Sequence, residues 1–151
     1  MSRFKCMTYP DLNNGPGCRV SFWFTGCPIQ CEGCFNSELW DFNFGNEITE
    51  DTFNKLESIL DLKYISGLTI LGGEPMVQDK EILKRMIIMA KIRNKNVWLY
   101  TGFNYDTFTD EQKKSIMGVD VIVDGPFIKA QADPNLKFRG SRNQRIIELN
   151  K

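Results

Sequence analysis

Cys27, Cys31 and Cys34 fall within the stretch Cys27-Pro28-Ile29-Gln30-Cys31-Glu32-Gly33-Cys34, and thiols this closely spaced read as ligands of a metal or an iron–sulfur group. A structural zinc site or an ordinary iron–sulfur cluster takes four protein ligands. Either a fourth ligand comes from elsewhere in the chain, or one metal position is left open for a substrate. The chain has no histidine, which removes the commonest mixed ligand set, and its only other thiols are Cys6 and Cys18. The run Arg19-Val20-Ser21-Phe22-Trp23-Phe24-Thr25 has the apolar and aromatic character of a strand, and at about 3.3 Å per residue it carries Cys18 roughly 20 Å from Cys27. No such argument applies to Cys6, whose distance from the loop depends on the path of the N-terminal segment. Zinc, a redox dithiol and an open-site cluster all remain compatible with the spacing.

The segments that must position this loop alternate between strand-like and helix-like patterns, which predicts an α/β fold with mainly parallel strands. Turn residues Asn13-Asn14-Gly15-Pro16-Gly17 lead into the strand Arg19 to Thr25. The cysteine loop follows its C-terminal end, where active-site loops gather in folds built from βα units. After a short, helix-like passage ending at Trp40, Thr49 caps a helix with Phe53, Leu56, Ile59 and Leu60 on one face. A second strand, Leu68-Thr69-Ile70-Leu71, runs into Gly72-Gly73-Glu74-Pro75. Two residues without Cβ permit close backbone approach there, and Glu74 can accept a charge-assisted bond from an amine. Taken alone, the same four residues are an ordinary strand-to-helix turn.

Residues 79–93 carry a helical apolar pattern whose methionines belong to the core. Asn96 to Thr101 is a third strand, a short helix follows Thr109, and Val119 to Asp124 is a fourth strand. The tail Phe138-Arg139-Gly140-Ser141-Arg142-Asn143-Gln144-Arg145 reads as a polar loop before an edge strand, although three arginines beside a Gly-Ser turn could also grip a carboxylate or phosphate.

Length and composition narrow the class. A chain of 151 residues with 42% hydrophobic content suits one domain, residues 1–151, around one core. Lys plus Arg balances Asp plus Glu at 19 each, so no long-range field points to nucleic acid or an anionic membrane. The N-terminus lacks the apolar core of a signal peptide and no run is long enough to span a bilayer, so a cytoplasmic protein is expected. Thiols stay reduced there, and five cysteines are better read as free thiols and ligands than as disulfides.

The spacing of Cys27, Cys31 and Cys34 resembles the cluster loop of the radical S-adenosylmethionine enzymes. In that family three cysteines hold a 4Fe-4S cluster and S-adenosyl-L-methionine chelates the fourth iron, which supplies the open position. Gly72-Gly73-Glu74-Pro75 resembles the element of activating members that meets the amino group of the methionine moiety. With Asn14-Gly15-Pro16-Gly17, Thr25-Gly26, Tyr100-Thr101-Gly102, Val123-Asp124-Gly125-Pro126-Phe127 and Arg139-Gly140-Ser141 with Asn143-Gln144-Arg145, the likeness narrows to the small activases of anaerobic (class III) ribonucleotide reductase.

The resemblance implies a truncated, open partial (βα) barrel of about four or five mainly parallel strands. It implies Cys27, Cys31 and Cys34 as cluster ligands, and Gly33, Cys34, Phe35, Gly72, Gly73 and Glu74 against S-adenosyl-L-methionine, with Tyr100 and Thr101 facing the same mouth. The position before the last cysteine, commonly aromatic in the broad family, is Gly33, and the aromatic residue is Phe35; which group packs on adenine stays open. The implied reaction is reductive cleavage of S-adenosyl-L-methionine to methionine and a 5′-deoxyadenosyl radical, which takes hydrogen from a glycine Cα of the partner. That partner is the large subunit of anaerobic ribonucleotide reductase, and the electron comes from a low-potential donor such as flavodoxin. Two alternatives stand beside it: an activase of another glycyl-radical enzyme, such as a formate-lyase type, and a non-catalytic iron–sulfur or zinc protein with Cys6 as fourth ligand.

Overall fold

The apolar run after residue 18 becomes an interior strand at one side of the parallel block in the computed structural model, which describes residues 2–34 and 36–149. Strands β1 (Arg3–Asp11), β2 (Arg19–Thr25), β3 (Asn46–Glu47), β4 (Gly67–Gly72), β5 (Asn96–Tyr100), β6 (Val121–Asp124) and β7 (Arg145–Glu148) form one sheet in the order β3-β1-β2-β4-β5-β6-β7. The pairs β2–β4, β4–β5 and β5–β6 are parallel, whereas β1 runs antiparallel to β2 and β7 antiparallel to β6. The expected four strands are thus the parallel centre of a seven-stranded mixed sheet, which corrects the count of four or five. Strand β1 escaped notice because most of its residues are half-buried or exposed and its pairing with β2 is interrupted by register shifts, so no clean alternation marks it.

Alternation sets the two faces of the sheet. Phe22, Ile70, Leu99 and Ile122 stand in register across the parallel strands, with Val20, Leu68 and Val97 beside them. These residues share one core with Phe53, Leu56, Ile59 and Leu60 of α1 (Glu50–Leu60) and Leu83, Met86, Ile87 and Ala90 of α2 (Lys80–Lys91). Both helices start where side chains can satisfy free N–H groups. Thr49 and Thr52 form a capping box on α1, and Asp79 accepts from Glu81 and Ile82 on α2. A third helix, α3 (Asp110–Ser115), is capped by Thr109 and Gln112 in the same way.

The opposite face carries Arg19, Ser21, Trp23, Thr69, Trp98 and Tyr100, and Arg19 is its anchor. Its guanidinium is buried without a carboxylate partner, and burial lowers its pKa to about 10. Nε donates to Thr69 Oγ1 at 2.7 Å, Nη1 to the Pro16 carbonyl at 3.0 Å, and Nη2 to the carbonyls of Leu68 and Asn96 at 2.9 and 3.2 Å. Thr69 in turn donates to the Asn14 carbonyl at 2.7 Å, so the turn at residues 13–17 is fastened to the sheet by one cation. Replacing Arg19 with Met should cost about 2–4 kcal/mol, because several buried acceptors lose their donors at once. Urea denaturation of the metal-free protein measures this, and a midpoint unchanged from wild type would show the cation to be dispensable.

Candidate functional site

The parallel strands end together, and the chain's reactive residues gather at those ends. Thr25-Gly26 ends β2, Gly72-Gly73-Glu74 closes β4, and Thr101-Gly102 follows β5. The N–H groups of Gly73 and Glu74 donate to the carbonyls of Phe24 and Gly26 at 3.1 and 2.8 Å, continuing the β2–β4 ladder beyond the strands. This approach is why glycine is required. A Cβ at Gly72 would stand 2.2 Å from the Phe24 carbonyl oxygen, and one at Gly73 would stand 2.6 Å from that of Gly26. The Gly-Gly pair therefore serves strand-to-strand contact.

Glu74 joins β4 to β5. Its carboxylate, 1% exposed, accepts at Oε1 from Gly102 N–H at 2.6 Å, and at Oε2 from the Thr101 hydroxyl at 2.8 Å and Met76 N–H at 2.9 Å. Burial pushes its pKa up to about 7 against the pull of those three donors. Gln78, missed in the sequence, adds a second tie. Its Nε2 donates to the carbonyls of Thr25, Gly26 and Glu74 at 2.9, 3.3 and 3.2 Å. The only sequence signal for it was a polar residue four positions after Glu74 at a turn.

A cavity of about 470 Å³ opens above these strand ends, and Cys27, Cys31, Cys34, Gly72, Gly73, Glu74, Tyr100 and Thr101 all line it. Gly33 does not. It takes φ +75°, and a Cβ there would meet Lys129 at 3.2 Å and Phe127 at 3.5 Å, so it packs against the tail. Phe35 lies outside the described residues. Cys6, on β1 opposite Trp23, and Cys18, before β2, are also off the cavity wall. Tyr100 donates its hydroxyl to the Phe138 carbonyl at 2.6 Å, and burial raises its pKa.

Other walls come from segments the motifs only hinted at. A 3-10 turn, Ser37–Trp40, is anchored by buried Leu39 and held to the loop by bonds from Gly26 N–H to the Leu39 carbonyl and Cys27 N–H to the Trp40 carbonyl. The tail supplies Phe127, Leu136, Phe138, Arg139 and Gln144. It is tied by its own polar side chains. Gln144 Oε1 accepts from the N–H groups of Gly140 and Ser141, its Nε2 donates to the Gly125 carbonyl, and Asn143 donates to the Pro126 carbonyl. Arg145 grips Asp124 with two bonds, at 3.0 and 2.6 Å. Of the three tail arginines read as a possible anion grip, Arg139 lines the cavity but gives Nη1 to the Gln144 carbonyl, and Arg145 is spent on acids of the chain itself.

The donor set suits a sulfur-ligated group. All three loop cysteines are free and partly exposed. Burial pushes the Cys27 thiol up, while the N–H groups of Gln30 and Ile29 favour its thiolate. Among the described residues no three acidic or thiol side chains converge closely enough to hold a single ion, so the thiols are spread around the cavity. A buried indole N–H on the wall, that of Trp40, has no partner among the described residues.

Comparison with known proteins places this arrangement. A family profile described as a 4Fe-4S single cluster domain matches residues 13–147. The chain is 40% identical over 142 residues to the anaerobic ribonucleoside-triphosphate reductase-activating protein of Enterobacteria phage T4, covering 91% of this chain and 89% of that protein. It is 37% identical over 148 residues to the protein of that name from Vibrio cholerae, covering 91% and 93%. To that of Escherichia coli K12 it is 33% identical over 147 residues, covering 93% and 96%. The chain belongs to the family of anaerobic ribonucleoside-triphosphate reductase-activating proteins. Three cysteine thiols, those of Cys27, Cys31 and Cys34, stand on the cavity wall of this family member. Among the described residues, no helix is long and apolar enough to cross a membrane.

Glu74 gives the site a pH signature. Its pKa lies above the ordinary 4.5, at about 7, so the folded state holds a proton that the unfolded chain has released. The stability this contributes is complete below about 4.5 and is lost as pH rises through about 7. The urea midpoint of metal-free protein should therefore be lower at about pH 8 than at about pH 5.5, with a flatter profile in Glu74→Gln. That variant should also lose roughly 1–3 kcal/mol, because its amide NH₂ meets N–H groups the carboxylate accepted from. Parallel pH profiles in the two proteins would take the titration away from Glu74.

Proposed function

We propose that this chain is a radical S-adenosyl-L-methionine activase for the large subunit of anaerobic ribonucleotide reductase. The observation that carries the reading is that Cys27, Cys31 and Cys34 line the same cavity as Gly72, Gly73 and Glu74, at the ends of β2, β4 and β5. Its volume, about 470 Å³, is in the range of small-molecule sites. In this reading Cys27, Cys31 and Cys34 hold a 4Fe-4S cluster, and the sheet is the open side of a truncated partial barrel formed as one radical-SAM domain. When bound, the cluster supplies the electron that cleaves S-adenosyl-L-methionine, and the resulting carbon radical removes hydrogen from a glycine of the partner.

The residues of the chain bind and orient. A carboxylate has about four acceptor sites, and Glu74 uses three on the protein, leaving one lone pair of Oε1 for an ammonium group. A cation there would draw the Glu74 pKa back down. Gly72 and Gly73 keep the strand ends close enough for that carboxylate to reach the wall. Tyr100 and Thr101 enter the site through Phe138 and Glu74, as props of the wall. A low-potential donor of flavodoxin type in the cytoplasm completes the scheme.

Reconstituted protein should bind about four irons. Cys27→Ala, Cys31→Ala and Cys34→Ala should each abolish that binding, whereas Cys6→Ala and Cys18→Ala retain it. Iron analysis checks this, and loss of iron in Cys6→Ala would make it a fourth ligand. With dithionite and S-adenosyl-L-methionine under anaerobic conditions, wild type should release 5′-deoxyadenosine. With the reductase added, it should give a glycyl doublet by electron paramagnetic resonance that disappears in Cys31→Ala. A doublet only on a formate-lyase-type enzyme would reassign the partner, and no 5′-deoxyadenosine from iron-loaded protein would refute the activase reading.

A further inference from the structure

One polar atom on the cavity wall is left unsatisfied by the described residues. The indole Nε1 of Trp40 is buried and has no hydrogen-bond partner among them. The other buried side-chain atom in that state among the described residues, Asn96 Oδ1, sits where β5 begins, away from the site. Trp40 lines the cavity with the three loop cysteines, and its backbone is pinned there, its carbonyl accepting from Cys27 N–H at 3.1 Å. Trp23, also on the wall, shows the normal condition, since its Nε1 donates to Thr8 Oγ1 at 2.9 Å.

An indole N–H can only donate, and a buried one nearly always finds an acceptor. For Trp40 the acceptor must come from whatever fills the cavity. The neighbouring sulfurs already attract donors. Ile29 and Gln30 N–H groups face the Cys27 sulfur, and Asn36 N–H lies 3.4 Å from Cys34 Sγ. Sulfurs of an iron–sulfur cluster accept several such bonds, and hydrogen bonding to them is one of the factors that set its reduction potential. We infer that Trp40 Nε1–H donates a hydrogen bond to a sulfur of the bound cluster and thereby holds its potential up. Trp40 is a positioning residue in this role, and the inference rests on the cluster reading above.

The test is Trp40→Phe, which keeps an aromatic ring and removes the donor. Both proteins are reconstituted anaerobically, iron per chain is measured, and the midpoint potential is titrated without S-adenosyl-L-methionine. The expected result is equal iron, a lower midpoint potential, and loss of one exchangeable-proton coupling in the electron–nuclear double resonance spectrum of the reduced cluster. An unchanged potential would give the N–H to water and overturn the inference. A shift appearing only with S-adenosyl-L-methionine would give it to that ligand, with the same consequence. Should Trp40→Phe fail to load iron, wild type grown with ¹⁵N-indole tryptophan decides. A weak coupling to an indole nitrogen in pulsed resonance supports the bond, and its absence overturns it. Wild type that binds no iron would instead remove the cluster reading and this inference together.

Discussion

The buried carboxylate of Glu74 is the interaction on which the site depends. Parallel strands whose ends merely stop near one another would leave their last N–H groups exposed and their spacing loose. Here one side chain from β4 accepts from two residues just beyond β5 and from its own following turn. Gln78 draws the end of β2 into the same knot. The cost is a carboxyl group buried to 1% exposure, which shows in its raised pKa. Such a group is tolerated because three donors converge on it, and that convergence fixes the cavity floor.

The parallel core was legible because its strands are continuous apolar runs, as expected for strands buried on both faces, and because its helices carry clear caps and one apolar stripe. Thr49 and Thr109 each cap the helix their position predicted, and Asp79, read as the first residue of its helical pattern, turns out to be the cap of α2. One edge was legible, since β7 is the edge strand read after the tail loop, whereas the other edge was not. Strand β1 has no consistent inward face, and β3 is only two residues long, too short for any periodicity. Edge strands are defined by the neighbour they pair with, and that information lies elsewhere in the chain.

The site was legible as a set of residues and opaque as a set of contacts. Thiol spacing led to three residues that do share a cavity with the Gly-Gly-Glu turn. The same reading aimed the two glycines and Glu74 at a ligand, whereas most of their bonding capacity is spent on Phe24, Gly26, Met76, Thr101 and Gly102. Close approach of backbones and a carboxylate facing donors were the right physics, applied first to the protein itself. Trp40 carried no signal and Gln78 only its position after the turn, because what marks them is an unpaired N–H and a reach across two strand ends, both properties of the folded chain.

The tail shows how a wall is made without regular structure. Between β6 and β7 the chain lays Phe127, Phe138 and Gly140 along the cavity, and almost nothing in that stretch is held by a sheet. Its rigidity comes instead from side chains closing on nearby backbone, with Gln144 bonded at both ends of its amide and Arg145 locked on buried Asp124. These part-buried bonds share side chains, so the members act together. This explains why the Gly125-Pro126 and Asn143-Gln144-Arg145 segments, far apart in the chain, belong to one recognisable pattern. They are two halves of one fastening. A wall of this kind presents backbone and aromatic surface to the cavity without a strand to carry it.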